Sequence, residues 1–282
     1  GENITAGAGD NMNDMHDELK KHDETIAARM KPVRNKVLVM SGKGGVGKST
    51  VSVNLAAAMA AAGKKTGLLD IDLHGPNVAR MLGIAGMRLG SDGEDIVPYE
   101  VSERLSVCSM ALLGADPSTA IIWRGPRKTS AIREMLGGVK WGTLDYLFLD
   151  SPPGTGDEAL TAAQSIPGLT GAVLVTTPQE VALDDARRSA AFARSLAVKI
   201  IGVVENMSGF VCPGCGLETP IFSSGGGEKL AAELGAAFLG RLPLDPRAVL
   251  MADEGRTIFE MESGKMREAA VKIAEKFAEV CP

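Results

Sequence analysis

The chain has 282 residues, 45% of them hydrophobic and 23% charged, which suits one large α/β domain or two small ones, with ample core. Its formal net charge of −5, from 30 basic and 35 acidic residues, argues against a dominant nucleic-acid surface. No apolar run approaches the ~20 residues that cross a bilayer and the N-terminus lacks a signal peptide's basic and apolar stretches, so a soluble cytoplasmic protein is expected, with neither nucleic acid nor membrane as partner.

Residues 1–34 are polar and highly charged. They read as a flexible N-terminal arm with a short helix over 14–30 that Pro32 ends. A repeating pattern follows over 35–282. "KVLVMS" (36–41) is a buried strand, followed by a Gly-rich turn and a helix, "KSTVSVNLAAAMAAAG", that Gly63 closes. "KKTGLLDID" (64–72) is the next strand, and 86–112 reads as a small antiparallel excursion. "DYLFLD" (145–150), "GAVLVTT" (171–177), "VKIIGVVEN" (198–206) and "AAFLGRLPL" (236–244) are further strands. Helices are predicted over 126–137, 156–165, 179–196 and 262–280. Strands alternating with helices imply a mostly parallel sheet covered on both faces. The loops 42–48, 70–76, 150–157 and 206–216 all follow strands, so they should converge on one sheet edge.

The run Gly42-Lys43-Gly44-Gly45-Val46-Gly47-Lys48-Ser49-Thr50 carries the spacing G-x-x-x-x-G-K-S. Glycines let successive N–H groups point inward as an anion nest, and the following helix adds its positive end. Lys48 can reach the β/γ-phosphates and the Ser49 hydroxyl can bind Mg²⁺. This is a P-loop, complete without Lys43. Asp70 and Asp72 flank Ile71 at the end of the second strand. Extended-chain alternation puts both carboxylates on one side, where one can orient water or bind Mg²⁺ through water. Asp150 closes an apolar strand in the Walker B manner and should hold Mg²⁺ through water. The Pro152-Pro153-Gly154 stretch suits a segment that shifts when a γ-phosphate leaves.

Of four cysteines, Cys108 sits in an apolar run and reads as core, and Cys281 lies beside the C-terminus. Cys212 and Cys215 form a CxxC turn, with Gly214 and Gly216 letting backbone N–H groups approach sulfur. One CxxC supports zinc, redox or iron–sulfur readings alike. A closed zinc site needs four ligands, and His16, His22 and His74 stand far from the pair in sequence. Two thiolates per chain are half of a four-cysteine set, which suggests a site shared across a two-fold dimer.

"GKGGVGKST", "DIDLHGPN" and "LDSPPGTGD", in that order, resemble the deviant Walker A ATPases related to MinD, ParA and the nitrogenase iron protein. That resemblance implies that Lys43 crosses a homodimer interface to the partner's phosphates and that Asp72 activates the attacking water. It implies ATP and ADP as ligands, with Asn206 on the base edge and Asp245 supporting the base. "ENMSGFVCPGCG" and "FSSGGGEKLAAELG" closely resemble the Mrp/ApbC family of iron–sulfur cluster carrier ATPases, over roughly 34–280. For that family, a labile [4Fe–4S] cluster bridges two protomers through the CxxC cysteines and passes to apo-proteins. The cysteine-rich N-terminal site of some members is not expected in 1–34, which has no cysteine. Competing readings are an ATP-dependent positioning switch of the MinD or ParA kind and a zinc-stabilised dimer. The stretch "WRGPRKTSAIRE" (123–134) is either a partner-facing patch or a solvated helix start.

Overall fold

A computed structural model describes residues 7–113 and 125–282, with side-chain surroundings for 19–113 and 128–282. Trp123 and Arg124 of the basic stretch lie outside the described residues. The chain opens with helix α1 (Gly7–Met30), strand β1 (Val33–Ser41) and helix α2 (Lys48–Ala61). Strand β2 (Thr66–Asp70) and the short helix α3 (Val78–Met81) follow. The expected antiparallel excursion is β3 (Gly90–Asp92) paired with β4 (Asp95–Val97), then β5 (Tyr99–Ser102) paired with β6 (Leu105–Ser109). Next come α4 (Gly125–Gly138), β7 (Leu144–Asp150), α5 (Asp157–Ser165), β8 (Gly171–Thr176), α6 (Glu180–Ser195) and β9 (Ile200–Glu205). A small hairpin of β10 (Phe210–Val211) and β11 (Glu218–Thr219) precedes α7 (Gly226–Leu234), β12 (Ala237–Arg241), α8 (Pro246–Asp253) and α9 (Lys265–Val280).

The main sheet has the order β12-β9-β8-β1-β7-β2-β6-β5 and is parallel except for β5 at its edge. β1 is central because its apolar run serves both faces. Val37 and Val39 join one core layer with residues of α2 and α9, and Leu38 and Met40 join the other with residues of α4 and α6. The period of two along an extended chain produces that division. Tyr146, Phe148 and Phe277 cluster at centroid distances of 5.5–6.0 Å between β7 and α9, the two β7 rings stacked and Phe277 tilted against both. Tyr146 Oη donates to the Cys281 carbonyl at 2.7 Å, which anchors the end of α9. Cys108 is fully buried, as expected, and burial pushes its thiol up to about 12.

Within the segment that its polarity suggested to be a flexible arm, residues 19–30 lie in a packed helix. Helix α1 packs along α4, and Ile26 and Met30, four residues apart on one helical face, are buried. Arg29 Nε donates to the Gly137 carbonyl at 3.2 Å and its guanidinium pairs with Asp95. Two apolar residues at the right spacing dock a helix whose other faces are polar. Replacing Ile26 by alanine is expected to cost about 2–4 kcal/mol of unfolding free energy, read from guanidinium chloride denaturation. An unchanged midpoint would mean that α1 contributes nothing to the fold.

Candidate functional site: a nucleotide cleft and a cysteine hairpin

The parallel strands end on one edge and their loops meet there. Gly45 and Gly47, at φ 81° and 82°, turn the P-loop between β1 and α2. A side chain at Gly42 is impossible: its Cβ would stand 2.2 Å from the Asp185 carbonyl carbon of α6. The loop therefore lies directly on that helix. Asn206, following β9, supports it from the other side, and its Nδ2 donates to the Val46 carbonyl at 2.9 Å. The sequence suggested a base-edge contact for Asn206. The structure shows it gripping the loop while lining the cleft.

Asp150 is the polar centre of the phosphate end and is fully buried. Lys48 Nζ and Ser52 Oγ donate to its Oδ1 at 2.7 and 2.6 Å, and Ser49 Oγ to its Oδ2 at 2.6 Å. Such a carboxylate is tolerable only because a cation and two hydroxyls replace its water. Ser52 was missed in the sequence reading, although it stands four residues beyond Lys48 and so shares its helix face. The Ser49 hydroxyl and the Asp150 carboxylate are hard oxygen donors side by side, a set that fits Mg²⁺. Lys43 is half-buried and lines the cleft, and its backbone carbonyl accepts from Ser41 Oγ at 3.1 Å.

Asp70 and Asp72 do not share one environment. Asp70 pairs in register with Asp150 across β2 and β7 and is fully buried. It accepts from the N–H groups of Asp72 (3.1 Å) and Val78 (3.3 Å) and from Ser109 Oγ (3.1 Å). Burial, then the neighbouring Asp150 charge, push its carboxyl up to about 8. Asp72 is half-buried on the cleft wall, and its Oδ1 accepts from the N–H groups of His74 and Gly75 at 3.2 Å each. Asp70 thus holds the loop, and Asp72 faces the cavity.

The cleft measures about 570 Å³ and runs from the P-loop to Pro243, Leu244 and Asp245. Asp245 caps α8, accepting from the Arg247 N–H at 3.0 Å, and the Arg247 guanidinium holds its carboxyl below the usual range. Its side chain is therefore already engaged.

Cys212 and Cys215 sit at the tip of the β10–β11 hairpin, free, with Cys215 exposed. The Gly216 N–H donates to the Cys212 carbonyl at 2.8 Å, and the Cys212 N–H to the Leu217 carbonyl at 2.9 Å. Backbone N–H groups of Cys215 and Gly214, together with the Cys215 thiol, hold the Cys212 thiol below its ordinary value. Among the described residues, no three His, Cys, Asp or Glu side chains converge to hold a metal ion. The hairpin is joined to the cleft. The Val211 N–H donates to the Leu244 carbonyl at 3.1 Å, and the Leu244 N–H to the Gly209 carbonyl at 2.7 Å.

The state of Asp70 should be visible in stability. Its folded value lies above the unfolded one, so between about pH 4 and pH 8 the folded chain binds more protons than the unfolded chain. Stability contributed by this group is present at low pH and is lost as pH rises through that window. Without nucleotide, Asp70→Asn is expected to flatten the fall in denaturation midpoint between pH 5 and pH 8. Parallel wild-type and variant curves would show that Asp70 is ionised throughout.

Residues 32–278 match the family described as ParA, the NUBPL iron-transfer P-loop NTPases. The iron–sulfur cluster carrier protein of Methanocaldococcus jannaschii is 47% identical over 261 residues, 93% of this chain and 90% of that relative. The cytosolic Fe-S cluster assembly factor NUBP2 homolog of Trichoplax adhaerens is 44% identical over 244 residues, 85% of this chain and 92% of that one. Among solved structures, the nucleotide-binding protein of Archaeoglobus fulgidus in complex with ADP, in which cobalt was found, superposes with a TM-score of 0.73. It shares 35% identity, covering 87% of this chain and 98% of that chain. Its P-loop, its parallel sheet and these matches place the chain in the ParA/NUBPL family of iron-transfer P-loop NTPases.

Proposed function

We propose that the protein is an ATP-hydrolysing carrier that holds a labile [4Fe–4S] cluster between two copies of itself and passes it to apo-proteins. The observation that carries this reading is the backbone seam from Val211 and Gly209 to Leu244, which joins a dithiol hairpin to the wall of a nucleotide cleft. The names of the relatives and the ADP in the Archaeoglobus protein support it.

The cluster is cargo. Each chain supplies two thiolates, so four arise when two hairpins face each other across a two-fold axis. Cys212, already lowered by backbone N–H groups, ionises readily, and the exposed Cys215 lets the cluster leave as the copies separate. Cluster donors and apo-protein clients then meet the same hairpin.

At the other end, the P-loop N–H groups and Lys48 receive the phosphates of ATP. Lys48 is held by Asp150 and changes partner when phosphate enters. Ser49 and Asp150 would hold Mg²⁺, with Asp72 on its water shell, and the ion would supply neutralising charge to the phosphates. Asp72 orients the attacking water from the cleft wall, and Asn206 and the segment up to Asp245 flank the base. Lys43 reaches the phosphates of the second copy, adding positive charge to the transferring group only in the assembled dimer.

Anaerobic reconstitution with iron and sulfide should turn the protein brown, with four irons per dimer, and Cys212→Ser with Cys215→Ser should stay colourless. Zinc in place of iron in anaerobically prepared protein, or undiminished colour in the double variant, would sink the cluster assignment. Lys43→Ala is expected to lower kcat for ATP hydrolysis roughly 100-fold with ATP binding within about threefold of wild type. Equal losses of binding and turnover would mean that the lysine serves its own subunit.

A further inference from the structure

One buried carboxylate has no part in the nucleotide chemistry. Glu205, the last residue of β9, is fully buried. Ser208 Oγ donates to its Oε1 at 2.5 Å, the Gly225 N–H to Oε1 at 3.0 Å and the Gly227 N–H to Oε2 at 2.5 Å. Arg241 Nε stands 3.3 Å from Oε1. Ser208 lies near the start of the segment 206–225 and Gly225 at its end, and Cys212 and Cys215 lie between them. A single side chain therefore grips both ends of the cysteine-bearing loop.

The backbone is adapted to this grip. A Cβ at Gly227 would stand 2.8 Å from the Glu205 Cβ, so only glycine lets that N–H come so close. Gly225 adopts φ 88°, turning the chain into α7 beside the carboxylate. Capping α7 would account for the two glycine contacts. It does not account for Ser208, which belongs to the opposite end of the loop. An unclamped segment of this length would visit many positions, whereas a cluster shared by two copies needs each hairpin in one place. The adjacent side chain, Asn206, holds the P-loop, so consecutive residues secure the two functional loops.

We infer that Glu205 is a positioning residue for the Cys212/Cys215 site: its carboxylate locks the ends of segment 206–225 so that the hairpin presents both thiols in a fixed place. The part of this inference that concerns iron–sulfur binding rests on the cluster reading proposed above.

Hydrogen exchange on the full chain, with Glu205→Gln and Ser208→Ala beside wild type, tests the clamp without any cluster. The Cys212 and Gly216 amides, hydrogen-bonded within the hairpin, and the Val211 amide, bonded to Leu244, should exchange about tenfold faster in Glu205→Gln and about threefold faster in Ser208→Ala, with β1 and β7 unchanged. After anaerobic reconstitution, iron retained per dimer should fall in the same order. Unchanged hairpin exchange in both variants would overturn the inference, as would equal acceleration in β1 and β7, which marks a general loss of stability. If Glu205→Gln does not fold, the Ser208→Ala result decides alone. A wild-type protein that takes up no iron–sulfur cluster would sink the cluster reading, while locally faster exchange would still support the clamp.

Discussion

Asp70, Asp150 and Glu205 each close an apolar strand, and water reaches none of them. A charge in that position is tolerated only where protein donors take over the role of water. The three sites meet this demand differently. Asp150 has a lysine and two hydroxyls. Asp70 has two backbone N–H groups and a hydroxyl, and burial beside Asp150 keeps it protonated over most of the neutral range. Glu205 has two N–H groups, a hydroxyl and an arginine. Because β2, β7 and β9 run parallel, the three carboxylates stand at one edge of the sheet, where the loops and helix starts that follow the strands supply their donors.

That arrangement bears on nucleotide binding. Lys48 has its buried anion before any phosphate arrives, so the entering phosphate competes with Asp150. Ser52 Oγ donates to the same Asp150 oxygen as Lys48, which limits the cost of that exchange. Asp70 stands beside this exchange as a neutral neighbour below about pH 8, so a second negative charge does not oppose the phosphates. Its hydrogen bonds to the Asp72 and Val78 N–H groups meanwhile keep the loop that carries Asp72 in place.

The strands and the P-loop were legible because their signals are local. "KVLVMS" and "DYLFLD" announce buried strands by composition, and the glycine spacing of 42–47 announces an anion nest by backbone chemistry. What was not legible depends on partners distant in sequence. Ile26 and Met30 are two apolar residues in a polar segment, and only the neighbouring α4 makes them core. Alternation placed Asp70 and Asp72 on the same side, yet β2 ends at Asp70 and the chain turns there, sending one inward and leaving the other on the cleft wall. The role of Glu205 is fixed by Gly225 and Gly227, some twenty residues on. Its one sequence signal is an acid ending an apolar strand, the pattern that did identify Asp150.

The cysteine hairpin and the nucleotide cleft share a wall. The segment 242–244 accepts from Ser208 and Val211 and donates to Gly209, and Leu244 leads directly into Asp245 at the cleft. Any displacement of that wall must therefore be carried into the hairpin or break the seam. The hairpin is short, two residues in each strand, and its far end is secured through Gly225 to Glu205. It is thus held at both ends and free at the tip, where the thiols are. For a carrier this division is physically apt: the base of the hairpin is tied to the cleft wall, and its tip leaves Cys215 exposed.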